Sequence, residues 1–315
     1  MGLKYISFII ISFFTIYLFG LSFISSFQDN IYVFLVLLFL ILGILNSIIR
    51  EFFLISKKDK KFLKFNFEDI FFVFLGAFIA YVLNIYLKQG AIIAASLVGI
   101  ISSSFLKNKS IPIYTGAFAG MVSPDLYHDF YHIIIVSLIT GIFYVLSKDV
   151  FKGIGGKLGA TAFVSWVLLS FIFDFSFIKG EFYYDLDFVI FFISFLGVFL
   201  TFFLQYYLNK DLVASSSILS LLGALIFPVI FFEKGVDLSV LFMASTFAGM
   251  STDKKINNFA FMVLVSFFVS IIFVYSYSHF GGGGGKLGTI SFGCVLGVKG
   301  ICNFFNRHNI FILKK

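Results

Sequence analysis

Apolar runs about as long as a bilayer is thick follow one another along the whole chain, separated by short polar stretches. A hydrocarbon core of roughly 30 Å needs about 20 helical residues at about 1.5 Å each. On that ruler, segments fall near 5–27, 31–55, 69–88, 90–106, 111–123, 130–147, 158–177, 188–208, 211–232, 237–250, 257–279 and 287–305. Two of them are short. Pro112 and Pro124 enclose 11 residues, and Asp237 and Asp253 enclose 15. As helices these extend roughly 17 and 22 Å, less than the hydrocarbon thickness.

Both short segments end on the same text. Phe118-Ala119-Gly120-Met121 recurs 129 positions on as Phe247-Ala248-Gly249-Met250. At the same spacing Gly155-Gly156-Lys157-Leu158-Gly159 recurs as Gly284-Gly285-Lys286-Leu287-Gly288, and Phe163 as Phe292. Earlier in the unit, Tyr86, Leu87 and Ser96 match Tyr207, Leu208 and Ser217 at a spacing of 121. Two motifs that keep their separation in both copies imply an internal duplication, with repeats at about 69–177 and 188–305. Residues 1–68 supply two leading helices and a basic loop, and 306–315 a cytoplasmic tail. Five spans per repeat, an odd number, turn the second copy upside down. The predicted fold is an all-α polytopic integral membrane protein of about 12 transmembrane segments, two leading helices plus a 5+5 inverted-topology repeat with short or broken helices.

Composition agrees with a lipid solvent. Sixty per cent of the 315 residues are hydrophobic and 12% charged, against about 25% charged in soluble domains, and mean hydropathy is +1.05. The net charge of +7 would suggest nucleic acid in a soluble protein. Here the lysines cluster between apolar runs, which is what membrane orientation requires, so nucleic acid is excluded. Lys57, Lys58, Lys60, Lys61 and Lys64 mark the 57–68 connection as cytoplasmic. Both termini then lie inside, and of the 23 Lys and Arg only Lys88, Lys179, Lys234 and Lys286 lie outside. If the short segments were re-entrant, the repeats would be parallel and Lys148, Lys152, Lys157 and Lys210 would move outside, a worse charge split. The expected location is the inner cell membrane. Cys294 and Cys302 form neither a disulfide framework nor a zinc spacing, and no cofactor is expected.

Duplicated membrane domains are mostly transporters and channels, with the solute site where discontinuous helices of two halves meet. A broken helix exposes peptide groups that are tolerated at membrane depth only when they line a cavity or meet a ligand. Gly116, Phe118, Gly120 and Ser123 in one copy, with Phe247, Gly249 and Thr252 in the other, are therefore expected at a central site. Small-residue packing between helices explains the same glycines without a ligand. Gly155, Gly156 and Lys157, and Gly284, Gly285 and Lys286, each lead into a helix, where free N–H groups and a lysine suit an anion. A flexible hairpin with a snorkelling lysine is the plainer account. The Walker spacing fails, because Leu158 and Leu287 follow the lysines.

Asp125, His128, Asp129 and His132 follow i, i+3, i+4, i+7 spacing, one helical face that suits a divalent metal or a proton relay. Solvated capping of a helix start explains it equally simply. No catalytic residue is assigned. The leading expectation is a channel or secondary transporter for a small polar or anionic solute. The alternatives are a metal-dependent membrane enzyme or a metal- or proton-coupled transporter using the Asp125 face, and a non-catalytic scaffold subunit. Expected partners are the lipid bilayer and that solute, with a homo-oligomer allowed.

Overall fold

The computed structural model describes residues 2–58, 65–126, 130–180, 186–252 and 258–312, with side chains over 3–55, 65–126, 130–180, 186–252 and 258–305. It is 82% helix, and among the described residues the sole β element is an isolated bridge between Ile178 and Gly281. Twelve α-helices follow in order: α1 (Gly2–Asp29), α2 (Ile31–Lys58), α3 (Phe67–Tyr81), α4 (Ala91–Phe105), α5 (Ser110–Gly120), α6 (Phe130–Ser147), α7 (Lys157–Phe173), α8 (Phe188–Tyr206), α9 (Leu212–Phe231), α10 (Gly235–Gly249), α11 (Phe259–Tyr275) and α12 (Lys286–Ile312). Among the described residues, seven helical stretches are long and apolar enough to cross a membrane, and α4, α7 and α11 are apolar but shorter. This is a helical, membrane-embedded architecture. α12 continues through Ile312 where the sequence suggested a tail.

Helix starts follow local chemistry. Asn66 and Asp187, 121 apart, cap α3 and α8 by accepting the Glu68 and Ile190 amides at 3.2 and 2.9 Å. Asp211 and Asn258 cap α9 and α11 in the same way. A short polar acceptor before an apolar run satisfies amides that the helix cannot. α3 ends in a π-helical turn, Val82–Tyr86, closed by Gln89 N donating to Leu83 O at 3.1 Å. Lys210 N closes the end of α8 on Leu204 O at 3.0 Å, again 121 positions on. α9 and α10 reverse on each other after Pro228, with Ser239 Oγ donating to Gly223 O at 3.0 Å.

In lipid no hydrophobic drive separates helix from helix, so close backbone approach at small residues decides which helices pair. α3 crosses α5 where a Cβ on Gly76 would lie 1.9 Å from Ile113 O, and one on Gly116 1.9 Å from Val73 O. α8 and α10 meet similarly at Gly197 and Gly249. The leading hairpin is fastened to α12 at Gly43 and Gly300, by Asn46 Nδ2 donating to Gly300 O (2.9 Å), and by a Lys299–Glu51 ion pair. The apolar window of α12 is 72% buried and that of α2 only 28%, so α12 is central and α2 peripheral. Most buried hydroxyls bond their own helix: Ser102 to Gly99 O, Ser103 to Ile100 O, Ser215 to Asp211 O and Ser217 to Val213 O.

α7 and α12 run antiparallel. Gly156 abuts Gly288 O and Phe292 N, while Gly285 abuts Gly159 O and Phe163 N, so the contact centres on Gly159 against Gly288. Matching positions 129 apart share unusual backbone: φ is +50° at Phe151 and +54° at Phe280, +76° at Gly153 and +79° at Gly282, +78° at Gly156 and +85° at Gly285.

Candidate binding vestibule

The C-terminal end of each short helix is held by three sets of bonds that recur in both copies. Asn84 Nδ2 donates to Gly120 O (3.3 Å) and Val122 O (2.7 Å); Gln205 Nε2, 121 positions on, donates to Gly249 O (3.0 Å). Ser123 N donates to Gly282 O at 2.8 Å, and Thr252 N to Gly153 O at 3.0 Å. Gly284 lies against the Phe118 and Ala119 carbonyls, and Gly155 against those of Phe247 and Ala248. Each glycine loop therefore embraces the short helix of the other repeat. The carbonyls left open at the helix ends are covered by amide side chains, and that of Ala119 by Trp166 Nε1 at 2.9 Å.

The two lysines of the glycine loops complete this frame. Lys157 Nζ donates to the carbonyls of Ser147 (2.8 Å) and Val150 (2.9 Å), and Lys286 Nζ to those of Ser276 (2.6 Å) and Tyr277 (3.4 Å). Each ammonium closes the end of the helix before its own, where the dipole is negative. Lys157→Met or Lys286→Met is expected to destabilise the protein by about 1.5–3 kcal/mol, the usual loss for a hydrogen bond to a charged group. Thermal unfolding in detergent measures it; an unchanged midpoint would mean the ammonium closes nothing.

Beside the ends of the short helices lies a cavity of about 630 Å³. Asn84, Lys88, Ile92, Met121 and Ser123 line it from one stretch of the chain and Asp237, Phe273, Tyr277 and Lys286 from another, with the glycines at 281–283. Phe118 and Phe247 also border it, with ring centroids 4.7 Å apart at 58° and each 2% exposed. The meeting point of the short helices thus holds two aromatic rings. Tyr114 touches Phe118 (4.4 Å) without lining the cavity, and its hydroxyl reaches Ser216 Oγ at 3.4 Å. Ser216 and Ser220 bond Thr246 at 2.9 and 3.1 Å in the same buried cluster.

α3 spans from the cavity to the opposite end of the bundle. Its last turns carry Asn84 and lead to Lys88, while its first turn carries Asp69. Asp69 pairs with Lys148 and with Lys109 (3.2 Å), and Lys109 also meets Glu68 at 2.7 Å. Its hydrogen bond to Glu68 above all, with that to Asp69, holds the Lys109 ammonium above its ordinary range against desolvation. At this end the mirror positions are occupied: Gly155 N donates to Ser251 Oγ (2.9 Å), Tyr206 OH to Ser251 O (3.3 Å) and Thr252 Oγ1 to Gly153 O (3.4 Å).

Of the residues singled out in the sequence, Phe118, Ser123, Phe247, Gly285 and Lys286 line the cavity. Gly116, Gly120 and Gly249 face neighbouring helix backbone at 1.9, 2.5 and 2.6 Å from a built Cβ. Gly155, Gly156, Lys157, Gly284 and Thr252 lie in the interlocking loops, outside the cavity wall. Asp125 sits in a turn, with Ser123 Oγ as its neighbour at 3.3 Å, because α6 begins only at Phe130. His132 is buried against Phe173 (5.1 Å) and Tyr131. His128 and Asp129 lie outside the described residues, and among the described ones no three His, Cys, Asp or Glu cluster as metal ligands. Asn84, Gln205, Asp237 and Tyr277 were missed. The first two were findable, since they are paired at the spacing of 121 that Tyr86 and Tyr207 already share. Comparison with protein-family models, curated proteins and solved structures finds no match.

Proposed function

We propose that this protein is a secondary transporter for a small polar solute, anionic in preference to neutral. Its pathway runs between two inverted repeats. The observation that carries this reading is a cavity lined from both halves and bordered by Phe118 and Phe247, one from each. Inversion is supported by the antiparallel crossing of α7 with α12, because equivalent helices of parallel repeats would run the same way. The recurring bonds at Asn84 and Gln205, and at Ser123 and Thr252, support one ancestral unit used twice.

A carrier is favoured over an open channel on the difference between the two ends. One end holds the cavity; the other is occupied by the Asp69, Lys109 and Lys148 cluster and the Ser251 bonds. In an inverted repeat the two conformations of alternating access are produced by exchanging the roles of the halves. The excess of lysine at Lys109, Lys148 and Lys152 supports a cytoplasmic filled end, with the cavity opening on the outer side of the inner membrane.

Side-specific labelling tests this. In a background with Cys294 and Cys302 replaced by Ala, Ser123→Cys is expected to react in intact cells with a membrane-impermeant thiol reagent. A saturating transported solute should slow that reaction. Labelling only after permeabilisation would reverse the orientation, and no labelling at all would remove the open vestibule on which the transport reading stands.

A further inference from the structure

The size of the cavity argues against a bare inorganic ion. About 630 Å³ falls within the roughly 300–1,000 Å³ typical of pockets for organic ligands. A chloride or phosphate there would stay hydrated and touch little of the wall. The wall is built to strip water from carbon: Phe118, Phe247, Phe273, Met121, Val240 and Ile290 contribute no charge or amide. Burying each methylene against such a surface is worth about 0.8 kcal/mol, a gain closed to an inorganic ion.

Polarity sits elsewhere on the same wall. The ionisable groups among its described residues are Lys88, Lys286, Asp237 and Tyr277. Asp237 already accepts the Tyr277 hydroxyl at 3.0 Å. Lys286 is turned to the Ser276 and Tyr277 carbonyls. Lys88 is exposed at a left-handed turn (φ +51°), as the last residues of the first repeat's leading helix give way to α4. Lys88 is thus the lysine of this wall that faces water, and Asp237 the carboxylate already engaged by a donor. The starts of α4, at Gly90 and Ala91, and of α12, at Lys286 and Leu287, open on the same space from opposite repeats. Gly90 supplies no side-chain cap, so the N–H groups at the start of α4 have no such acceptor. Both helix ends add positive potential to that of the lysines.

We propose that the cavity takes an amphipathic organic carboxylate, its apolar body against Phe118 and Phe247 and its carboxylate toward Lys88. This deepens the transport reading and rests on it for the solute's passage, though not for its binding. A neutral analogue would lose the attraction of the lysines. An amine would face the Lys88 ammonium, and the wall's single carboxylate, Asp237, already has a donor.

The test is binding to the full chain in lipid nanodiscs, which avoids detergent in an apolar cavity. The probes are 3-phenylpropionate, 3-phenylpropionamide, 3-phenylpropylamine, acetate and inorganic phosphate, read by thermal shift and calorimetric titration. The carboxylate should bind saturably and about tenfold more tightly than its amide or amine, the size of effect expected for one ionic hydrogen bond. Acetate and phosphate should bind more weakly still. Lys88→Gln, an exposed change that leaves packing intact, should erase the preference for carboxylate over amide and leave amide binding unaltered. An amine that matches or exceeds the carboxylate, phosphate that outcompetes it, equal binding by Lys88→Gln, or no binding by any probe would overturn the proposal. The transport reading fails separately, if the carboxylate binds as described yet proteoliposomes do not accumulate or exchange it.

Discussion

Gly156→Ala and Gly285→Ala are each expected to abolish recovery of folded protein. Both residues have left-handed backbone, φ +78° and +85°, which costs an L-residue with a Cβ about 1–2 kcal/mol. The larger effect is steric. A Cβ on Gly156 would lie 2.3 Å from Gly288 O, and one on Gly285 2.3 Å from Gly159 O. Those oxygens belong to the α7–α12 crossing, so relief requires parting two central helices. Overpacking alone typically costs about 1–3 kcal/mol, and backbone contact is less forgiving than a side chain. The total is a large share of the roughly 5–15 kcal/mol that holds a typical protein folded.

Two further glycines separate these terms. Gly90 has φ +85° with ψ 153°, backbone no kinder to a Cβ, but nothing within 4 Å of a built one, so Gly90→Ala reads a backbone cost without a steric contact. Gly20 lies mid-helix in open space, and Gly20→Ala should be neutral or stabilising by up to about 1 kcal/mol. Monodisperse yield in gel filtration and the unfolding midpoint read all four. If Gly156→Ala behaves like Gly90→Ala, the crossing of α7 and α12 is looser than described and the frame around the cavity is not rigid.

Phe118→Ala combined with Phe247→Ala is expected to turn a closed vestibule into a leak. The rings lie 4.7 Å apart, buried, one from α5 and one from α10, on the border of the cavity. Removing both leaves a void next to a hydroxyl cluster formed by Tyr114, Ser216 and Thr246, so water gains polar partners beyond the barrier. Each change costs about 3–5 kcal/mol in a packed core, so Phe118→Leu with Phe247→Leu is the companion that keeps most of the volume and the apolar surface. Proteoliposomes loaded with a small fluorescent anion should lose it at least tenfold faster with the double alanine variant and near the normal rate with the double leucine variant. Tight vesicles with folded double alanine protein would mean that the pair does not form the seal.

Much of this architecture was legible in the chain. Each of the twelve expected segments contains a helix, and the spacings of 121 and 129 led to pairs whose backbone torsions and hydrogen bonds agree. The short helices were legible too: α5 and α10 end on the repeated text at Gly120 and Gly249, and each begins two residues before the expected Pro112 and Asp237. The roles of individual residues were harder to read. Gly120 and Gly249 invite an open peptide surface, yet the space beside them is filled by Ala77 O and Val198 O. Lys157 and Lys286 suggest anion ligands, yet both ammonium groups meet carbonyls ten residues back. A glycine that admits a ligand and one that admits a helix leave the same letter in the sequence, and only the neighbour distinguishes them.

The chain by itself determined a lipid-embedded helical protein, the positions of its helices and the paired texts at spacings of 121 and 129, because hydrophobic length and repeated text are properties of a linear string. Tertiary structure alone decided that α7 and α12 cross head to head at Gly159 and Gly288, that Phe118 meets Phe247, and that Asn84, Lys88, Asp237 and Tyr277 share one cavity. The physical reason is that apolar residues in lipid carry no signal of which helix they will touch. Partner choice rests on close contact between surfaces built from residues far apart in sequence, and that complementarity exists only once the helices have met.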